Sequence, residues 1–313
     1  MLSVVIPSYN EEDNIGHTSE VIGEILSDNK IDYELIFVDD GSKDKTWEKI
    51  KALNSADSRV RGVSFSRNFG KEGAILAGLE ACRGDAAVVI DCDLQHPPQV
   101  IPKMYELWRN GAMVVEGKKS SRGKESKTYG ALSGLFYRLI ESSSHIDMKN
   151  SSDFKLLDRT AIDALLSLPE RGTFFRALSG WVGFETAEVY YDVAQRFSGK
   201  RKWTTGMLFN YAIKNLAAFT SAPLYICGVI GLIIAVAAFV LIVLNAVGVN
   251  TGSFDAAASV LMLIGGGILC CMAIAGYYIS RIYDEVKRRP RYIVARTTEG
   301  KLADKGGNSV GGN

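Results

Sequence analysis

Neither sign of charge dominates this chain: 36 lysines and arginines stand against 35 aspartates and glutamates, a formal net charge of +1 over 313 residues. That balance excludes bulk attraction to nucleic acid, so any anion it binds is met by a local cluster. Cysteine is scarce, and Cys82, Cys92, Cys227, Cys270 and Cys271 show no CxxC or other metal-type spacing. Their apolar surroundings suit free thiols in a reducing compartment, which argues against a disulfide framework. The start MLSVVIP has neither a basic leader nor a cleavage site, so no secretory signal is read there and the first domain is expected in the cytoplasm. No internal repeat is found. SRNFGKEG, residues 66–73, has neither the GxxxxGK[ST] of a P-loop nor the GxGxxG of a dinucleotide fold, so neither an ATPase nor a dehydrogenase is indicated.

Charge is missing altogether from two long stretches, Pro223 to Val249 and Ala256 to Ser280. Each exceeds the roughly 20 residues that cross a ~30 Å hydrocarbon core, and a buried core helix of that length is rare. The intervening NTGSFD is too short for a domain, so two spans, about 223–249 and 256–280, are expected to form a hairpin. Its glycines, including Gly228, Gly231, Gly265, Gly266, Gly267 and Gly276, allow close helix approach, and a homo-oligomer is expected. Arg196, Lys200, Arg201, Lys202 and Lys214 precede the first span, and Arg281, Lys287, Arg288, Arg289 and Arg291 follow the second, whereas the loop holds only Asp255. Both ends are therefore expected on the cytoplasmic side of the inner membrane. Between them and the first domain, residues 203–221 read as an amphipathic helix lying on the bilayer or packing against the soluble domain.

Residues 1 to about 120 alternate apolar β-branched runs with helical stretches, a βαβαβαβαβ order that implies a mainly parallel α/β sheet with helices on both faces. LSVVIP, YELIFVDD, VRGVSFS, AAVVIDCD and AMVVEG are the strands, and DFKLLDR and FETAEVYYDV add two more. Ligands in such folds bind outside the carboxyl ends of the strands. Three acidic strand ends lie on that rim: PSYNEE, Asp39-Asp40-Gly41-Ser42 and Asp91-Cys92-Asp93.

The last of these is the most informative. Two carboxylates one residue apart raise the cost of ionising each other, so a compensating positive charge is expected. On a strand, alternate residues share a face, which aims Asp91 and Asp93 into the crevice and turns Cys92 inward. With Gln95 they form an oxygen ligand set suited to Mg²⁺ or Mn²⁺, while His96 has the wrong parity. At the other two ends, Tyr9 and Glu11 suit a base, and Asp40 a ribose or a base N–H. Helix capping by Glu11 and Asp44, and turn formation by Asp40-Gly41, are the plainer readings.

VVIPSYNEE, FVDDGSKDKT, SRNFGKEGAILAGL, DCDLQHPP, NSSDFKLLDR and RFSGKRKW together resemble, in order and spacing, the family 2 inverting glycosyltransferases of GT-A fold, within them the polyprenyl-phosphate glycosyltransferases. The resemblance covers about residues 2–295, including the hairpin. It implies a GT-A domain over 1–202, the interfacial helix at 203–221, the membrane hairpin within 222–280 and a cytoplasmic basic segment and tail at 281–313. It further implies that Pro7, Tyr9, Glu11, Val38, Asp40 and the run Asp91, Cys92, Asp93 hold a nucleotide sugar. Asp91, Asp93 and Gln95 would hold the metal, and Lys119, Arg122, Arg196 and Lys202 would meet the lipid phosphate. Lys119 stands where arginine is frequent, and Arg201 where serine or threonine is usual. Asp153 occupies the position often assigned to catalysis, together with Asp93.

The implied partners are a nucleotide sugar, a polyprenyl phosphate and the membrane. UDP-glucose is the first expectation for the donor, ahead of UDP-GlcNAc and GDP-mannose. A processive polysaccharide synthase is the competing enzyme reading, opposed by the absence of a QxxRW-type motif around GWVGF. A non-catalytic nucleotide-sugar-binding scaffold is the competing reading outside enzymes.

Overall fold

A computed structural model describes residues 1–120, 152–169, 174–192, 229–234, 236–237, 240, 243, 247 and 254–299. The strands are β1 (Leu2–Ser8), β2 (Tyr33–Asp39), β3 (Val60–Phe65), β4 (Ala86–Val89), β5 (Val114–Lys119), β6 (Lys155–Asp158), β7 (Thr186–Tyr191) and β8 (Val294–Thr297). The helices are α1 (Ile15–Asp28), α2 (Thr46–Ala56), α3 (Lys71–Ala81), α4 (Ile101–Arg109), α5 (Arg159–Ser167), α6 (Phe175–Trp181) and α7 (Phe254–Val286). One eight-stranded sheet runs in the order β7-β5-β6-β4-β1-β2-β3-β8. The pairs β1·β2, β1·β4, β2·β3 and β5·β7 are parallel. Antiparallel pairing occurs where β6 inserts between β4 and β5, and where β8 covers the edge at β3.

The continuously apolar runs have the expected cause: these strands are buried on both faces. Leu2, Val4, Ile6, Leu35, Phe37 and Val88 join Ile15, Ile22 and Leu26 of α1 in one core cluster. On the other face α3 packs so closely that a Cβ on Gly78 would fall 2.2 Å from Val5 Cγ1. Only glycine allows that approach.

The expected fourth strand is too long. β4 ends at Val89, Leu94 N–H closes back on the Asp91 carbonyl at 3.3 Å, and Leu94 has φ 54°. Asp91 and Asp93 therefore leave a turn rather than a strand, and period-2 parity does not govern where they point.

The chain divides into two compact units: the sheet domain, which includes the described residues from Pro290 to Glu299, and a second unit that ends at Arg289. In the second, α7 covers 33 residues, about 50 Å at 1.5 Å per residue. Its part from Ile264 to Val286, 23 residues, is long and apolar enough to cross a membrane. Helix therefore continues beyond the expected end of the second span at Ser280. Of the first span, residues 229–234 are helical and most of the rest lies outside the described residues. The 203–221 helix, Arg122, Arg196 and Lys202 lie wholly outside them.

Candidate active site

The loops after β1 and β2 are sewn together by reciprocal backbone-to-side-chain bonds. Asn10 N–H donates to Ser42 Oγ at 2.9 Å, Glu11 N–H to Thr46 Oγ1 at 2.9 Å and Glu12 N–H to Asp44 Oδ2 at 3.2 Å. In return Lys43 N–H donates to Asn10 Oδ1 at 2.9 Å and Lys45 N–H to Glu12 Oε2 at 3.1 Å. Much of the polarity in YNEE and SKDKT is thus spent on holding the rim in shape. Pro7 and Val38 sit opposite each other in the β1·β2 register. Val38 is fully buried, with its side chain toward α3, so only its backbone is left for a ligand. Tyr9 is half-buried on the rim, and the Glu11 carboxylate accepts from Asn14 Nδ2 at 2.5 Å.

Asp40, expected to hold the nucleoside, is anchored within the protein. Its two carboxylate oxygens accept from Phe69 N–H at 2.6 Å and Gly70 N–H at 2.9 Å, and burial pushes its pKa up to about 6. It staples the loop after β3 to the rim. Gly41 makes the turn beside it at φ +66°, where a Cβ would fall 2.4 Å from the Arg67 carbonyl carbon.

That stapled loop delivers the compensating charge sought for the acidic pair. Lys71, first residue of α3, places Nζ 2.6 Å from Asp91 Oδ1 and 2.8 Å from Asp153 Oδ2. Arg176 Nε, on α6, lies 3.2 Å from the other Asp153 oxygen. Lys155 Nζ, buried on β6, donates to the Arg176 carbonyl at 3.2 Å and pairs with Glu116 at 3.2 Å. Asp153 is 6% exposed. Burial opposes its charge, but Arg176 and Lys71 outweigh burial and hold the carboxyl well below the usual carboxylate range. Lys71 responds in the opposite sense, its ammonium stabilised against burial by Asp153 and Asp91. Asp91 is also lowered, by Lys71 against the effect of burial. Glu72 accepts from Phe175 N–H at 2.8 Å, and burial with the nearby Asp153 charge raises its pKa to about 7.

His96, set aside as a ligand on parity, lies beside Asp91. It is buried, stacks on Phe154 at 5.3 Å and brings Nδ1 to 3.8 Å from Asp91 Oδ2. Burial lowers its pKa, so the ring is neutral at pH 7. Parity does not carry to it, because the Asp91–Leu94 turn intervenes. Cys92, expected in the ligand set, is buried with Sγ 3.8 Å from Thr18 Oγ1, and its carbonyl accepts from Thr18 Oγ1 at 2.7 Å. Its side chain therefore belongs to the core and does not face the crevice. Asp93 Oδ1 accepts from Gln95 N–H at 3.1 Å, which fixes the turn carrying both residues. Lys119 ends β5, and its charge is among those acting on His96.

Asp91, Asp93 and Gln95 carry hard oxygen donors on one turn, and a cation already lies against Asp91 in the form of Lys71. Among the described residues no group of three or more His, Cys, Asp or Glu side chains converges on one point. Two carboxylates and an amide are the donor types Mg²⁺ and Mn²⁺ take when substrate oxygens and water supply the rest. Lys71, Glu72, His96 and Arg176 were not selected from the sequence. The available signal was the unexplained need for a cation near Asp91, and SRNFGKEG held it.

Residues 3–166 match the model of glycosyl transferase family 2. This chain is a family 2 glycosyltransferase. The putative glycosyltransferase CsbB of Bacillus subtilis (strain 168) is 38% identical to it over 302 residues, covering 94% of this chain and 91% of CsbB. The bactoprenol glucosyl transferase of Shigella phage SfII is 35% identical over 305 residues, covering 96% and 99%. Glucosyl-3-phosphoglycerate synthase of Mycobacterium tuberculosis superposes with a TM-score of 0.51 at 24% identity, covering 69% of this glycosyltransferase and 76% of that chain. The mainly parallel sheet of this glycosyltransferase is thus of GT-A type.

Proposed function

We propose that this glycosyltransferase moves a hexose from a nucleoside-diphosphate sugar, UDP-glucose first among candidates, to a polyprenyl phosphate with inversion at the anomeric carbon. The observation that carries the reading is the charge chain Asp91–Lys71–Asp153–Arg176 at the carboxyl ends of the strands. The nearly full-length similarity to a bactoprenol glucosyl transferase supports the acceptor class. A lipid acceptor also agrees with a helix able to cross a membrane in the same chain. The reading extends to a two-span hairpin with both termini cytoplasmic, and to residues 196–202 meeting the lipid head group.

An acceptor phosphate oxygen attacks C1 of the sugar while the bond from C1 to the diphosphate oxygen breaks. The second pKa of a phosphate monoester is about 6, so the acceptor is largely dianionic at neutral pH and needs no strong base. Asp153 fits that requirement: held between Lys71 and Arg176, it is a weak base and a fixed negative charge that orients sugar or acceptor. Lys71, 36% exposed and shared between Asp91 and Asp153, would re-pair with negative charge growing on the leaving diphosphate, the usual largest contribution to such catalysis. Asp91, Asp93 and Gln95 would hold Mg²⁺ or Mn²⁺, which supplies Lewis-acid neutralisation of the diphosphate when bound. The mycobacterial synthase was crystallised with Mn²⁺ and UDP.

The test is transfer from radiolabelled UDP-glucose, UDP-GlcNAc or GDP-mannose into undecaprenyl phosphate, with the product weighed and its anomeric configuration read by NMR. One donor should give a divalent-dependent polyprenyl-phosphate hexose, and Asp93→Ala should abolish it. Undiminished turnover in chelator would remove the metal assignment, and a lengthening glycan product would favour a processive synthase.

A further inference from the structure

The segment that follows α7 returns to the sheet domain and grips the parts that deliver both cations to Asp153. Only residues 287–289 separate the end of α7 from Pro290, where the sheet domain resumes. From there Ser66 N–H donates to the Ile293 carbonyl at 3.0 Å, and β8 pairs antiparallel with β3. Tyr292 stacks on Phe65 with centroids 4.9 Å apart and planes at 12°, and its hydroxyl donates to Glu80 on α3. Phe65 in turn meets Phe69 edge-on at 5.7 Å. Tyr292 therefore bridges the two sides of the 66–70 loop, the end of β3 and the body of α3, and Lys71 is the next residue. Arg291 donates to the Leu168 carbonyl, just after α5 and upstream of the helix bearing Arg176.

These contacts share one property: none touches the acidic pocket, and each fixes a segment leading to a residue that does. Covering a sheet edge would need only the β8 ladder. The aromatic bracket and the arginine are additional, and they fall on the loop whose Phe69 and Gly70 amides are held by Asp40.

We infer that residues 291–293 are positioning residues of the transfer site, with Tyr292 setting the place of Lys71 through Phe65, the 66–70 loop and α3. The segment reached from the membrane helix is thereby part of the catalytic scaffold. This inference rests on the reading of the Lys71 cluster as the transfer site, so one of its tests is independent of activity.

In the full chain in detergent, Tyr292→Ala should speed hydrogen exchange of the 66–70 amides about tenfold and lower kcat about tenfold. In a Lys71→Met background the same change should lower kcat less than twofold, because the residue it positions is gone. Tyr292→Phe keeps the stack, loses only the bond to Glu80, and should stay within threefold of wild type. Should Tyr292→Ala fail to fold, Tyr292→Leu, which keeps bulk without the ring, carries the same expectations. Unchanged exchange at 66–70 overturns the inference, as does an equal tenfold loss with and without Lys71. If the wild type transfers none of the three sugars, the reaction reading fails on its own, and the exchange comparison alone decides the role of Tyr292.

Discussion

At the amino-terminal ends of the strands, Glu34 is 4% exposed and every partner it has is protein. Ser3 Oγ and Arg83 N–H donate to one of its oxygens at 2.6 Å each, and Arg61 Nη1 to the other at 2.7 Å. Arg61 goes on to Glu299 at 2.7 Å and to the Ala81 carbonyl at 2.8 Å. At the carboxyl ends, the Asp153 cluster is as buried at its centre, yet Lys71 and Asp91 keep 36% and 30% of their side chains exposed. The first network reaches solvent through Glu299, 44% exposed, on the side away from ligands, and the second opens onto the rim where ligands of this architecture bind. Burial and ion pairing are common to both, so neither identifies a functional cluster. Position does, because partly exposed charge at the carboxyl ends of the strands lies where a substrate can re-pair it.

The sharpest way to break this comparison is to remove one carboxylate charge at each end. Asp153→Asn should cut turnover at least a hundredfold, about 2.7 kcal/mol in barrier, in a protein that still folds. A loss under threefold, about 0.65 kcal/mol, would refute a catalytic role for Asp153. Glu34→Gln should do the reverse, lowering unfolding stability by about 3 kcal/mol, as when a buried pair loses one partner, with kcat per folded molecule kept within twofold. Thermal unfolding and single-turnover transfer on the same preparations separate the two outcomes. Lys71→Met ranks next at the open end. About tenfold to a hundredfold in kcat/KM should go, and full activity would mean that another cation serves the diphosphate.

The division between the ends was partly legible in the sequence. The alternation of apolar runs and helical stretches gave the parallel sheet because strands buried on both faces have no polar alternation to hide them. Asp91 and Asp93 stood out because paired like charges at a strand end need compensation. Lys71 escaped because the sequence tests for a lysine after glycine are built for phosphate loops, and its partner Asp153 lies 82 residues away. The place of His96 beside Asp91 was not legible because strand parity does not extend through a turn. The anchoring of Asp40 was not legible because the amides it accepts from, Phe69 and Gly70, belong to a loop 29 and 30 residues away. Local periodicity reports which faces are buried, whereas the pairing of charges across elements is a property of topology.

Glu72 offers a smaller, pH-dependent contrast. Its carboxyl is raised from 4.5 to about 7 by burial and by Asp153. Between those pH values the folded chain binds more of a proton at this site than the unfolded one. Stability from this group therefore falls as pH rises through that window and is level above it. Glu72→Gln removes the dependence, so the stability of the variant relative to wild type should climb between pH 5 and 7.5. Thermal melts at the two pH values check it, and parallel curves would mean that Glu72 titrates normally.

The smallest effect sharpens the amino-terminal end. Arg83 is 58% exposed and reaches Glu299 at 2.8 Å through its side chain, while its backbone N–H, not its guanidinium, serves Glu34. Arg83→Ala keeps that backbone donor. It loses only an exposed ion pair, so stability should drop by less than about 1 kcal/mol, and the loss should fade in 0.5 M salt. If urea unfolding instead showed a loss as large as that of Glu34→Gln, the guanidinium would be an integral member of the network.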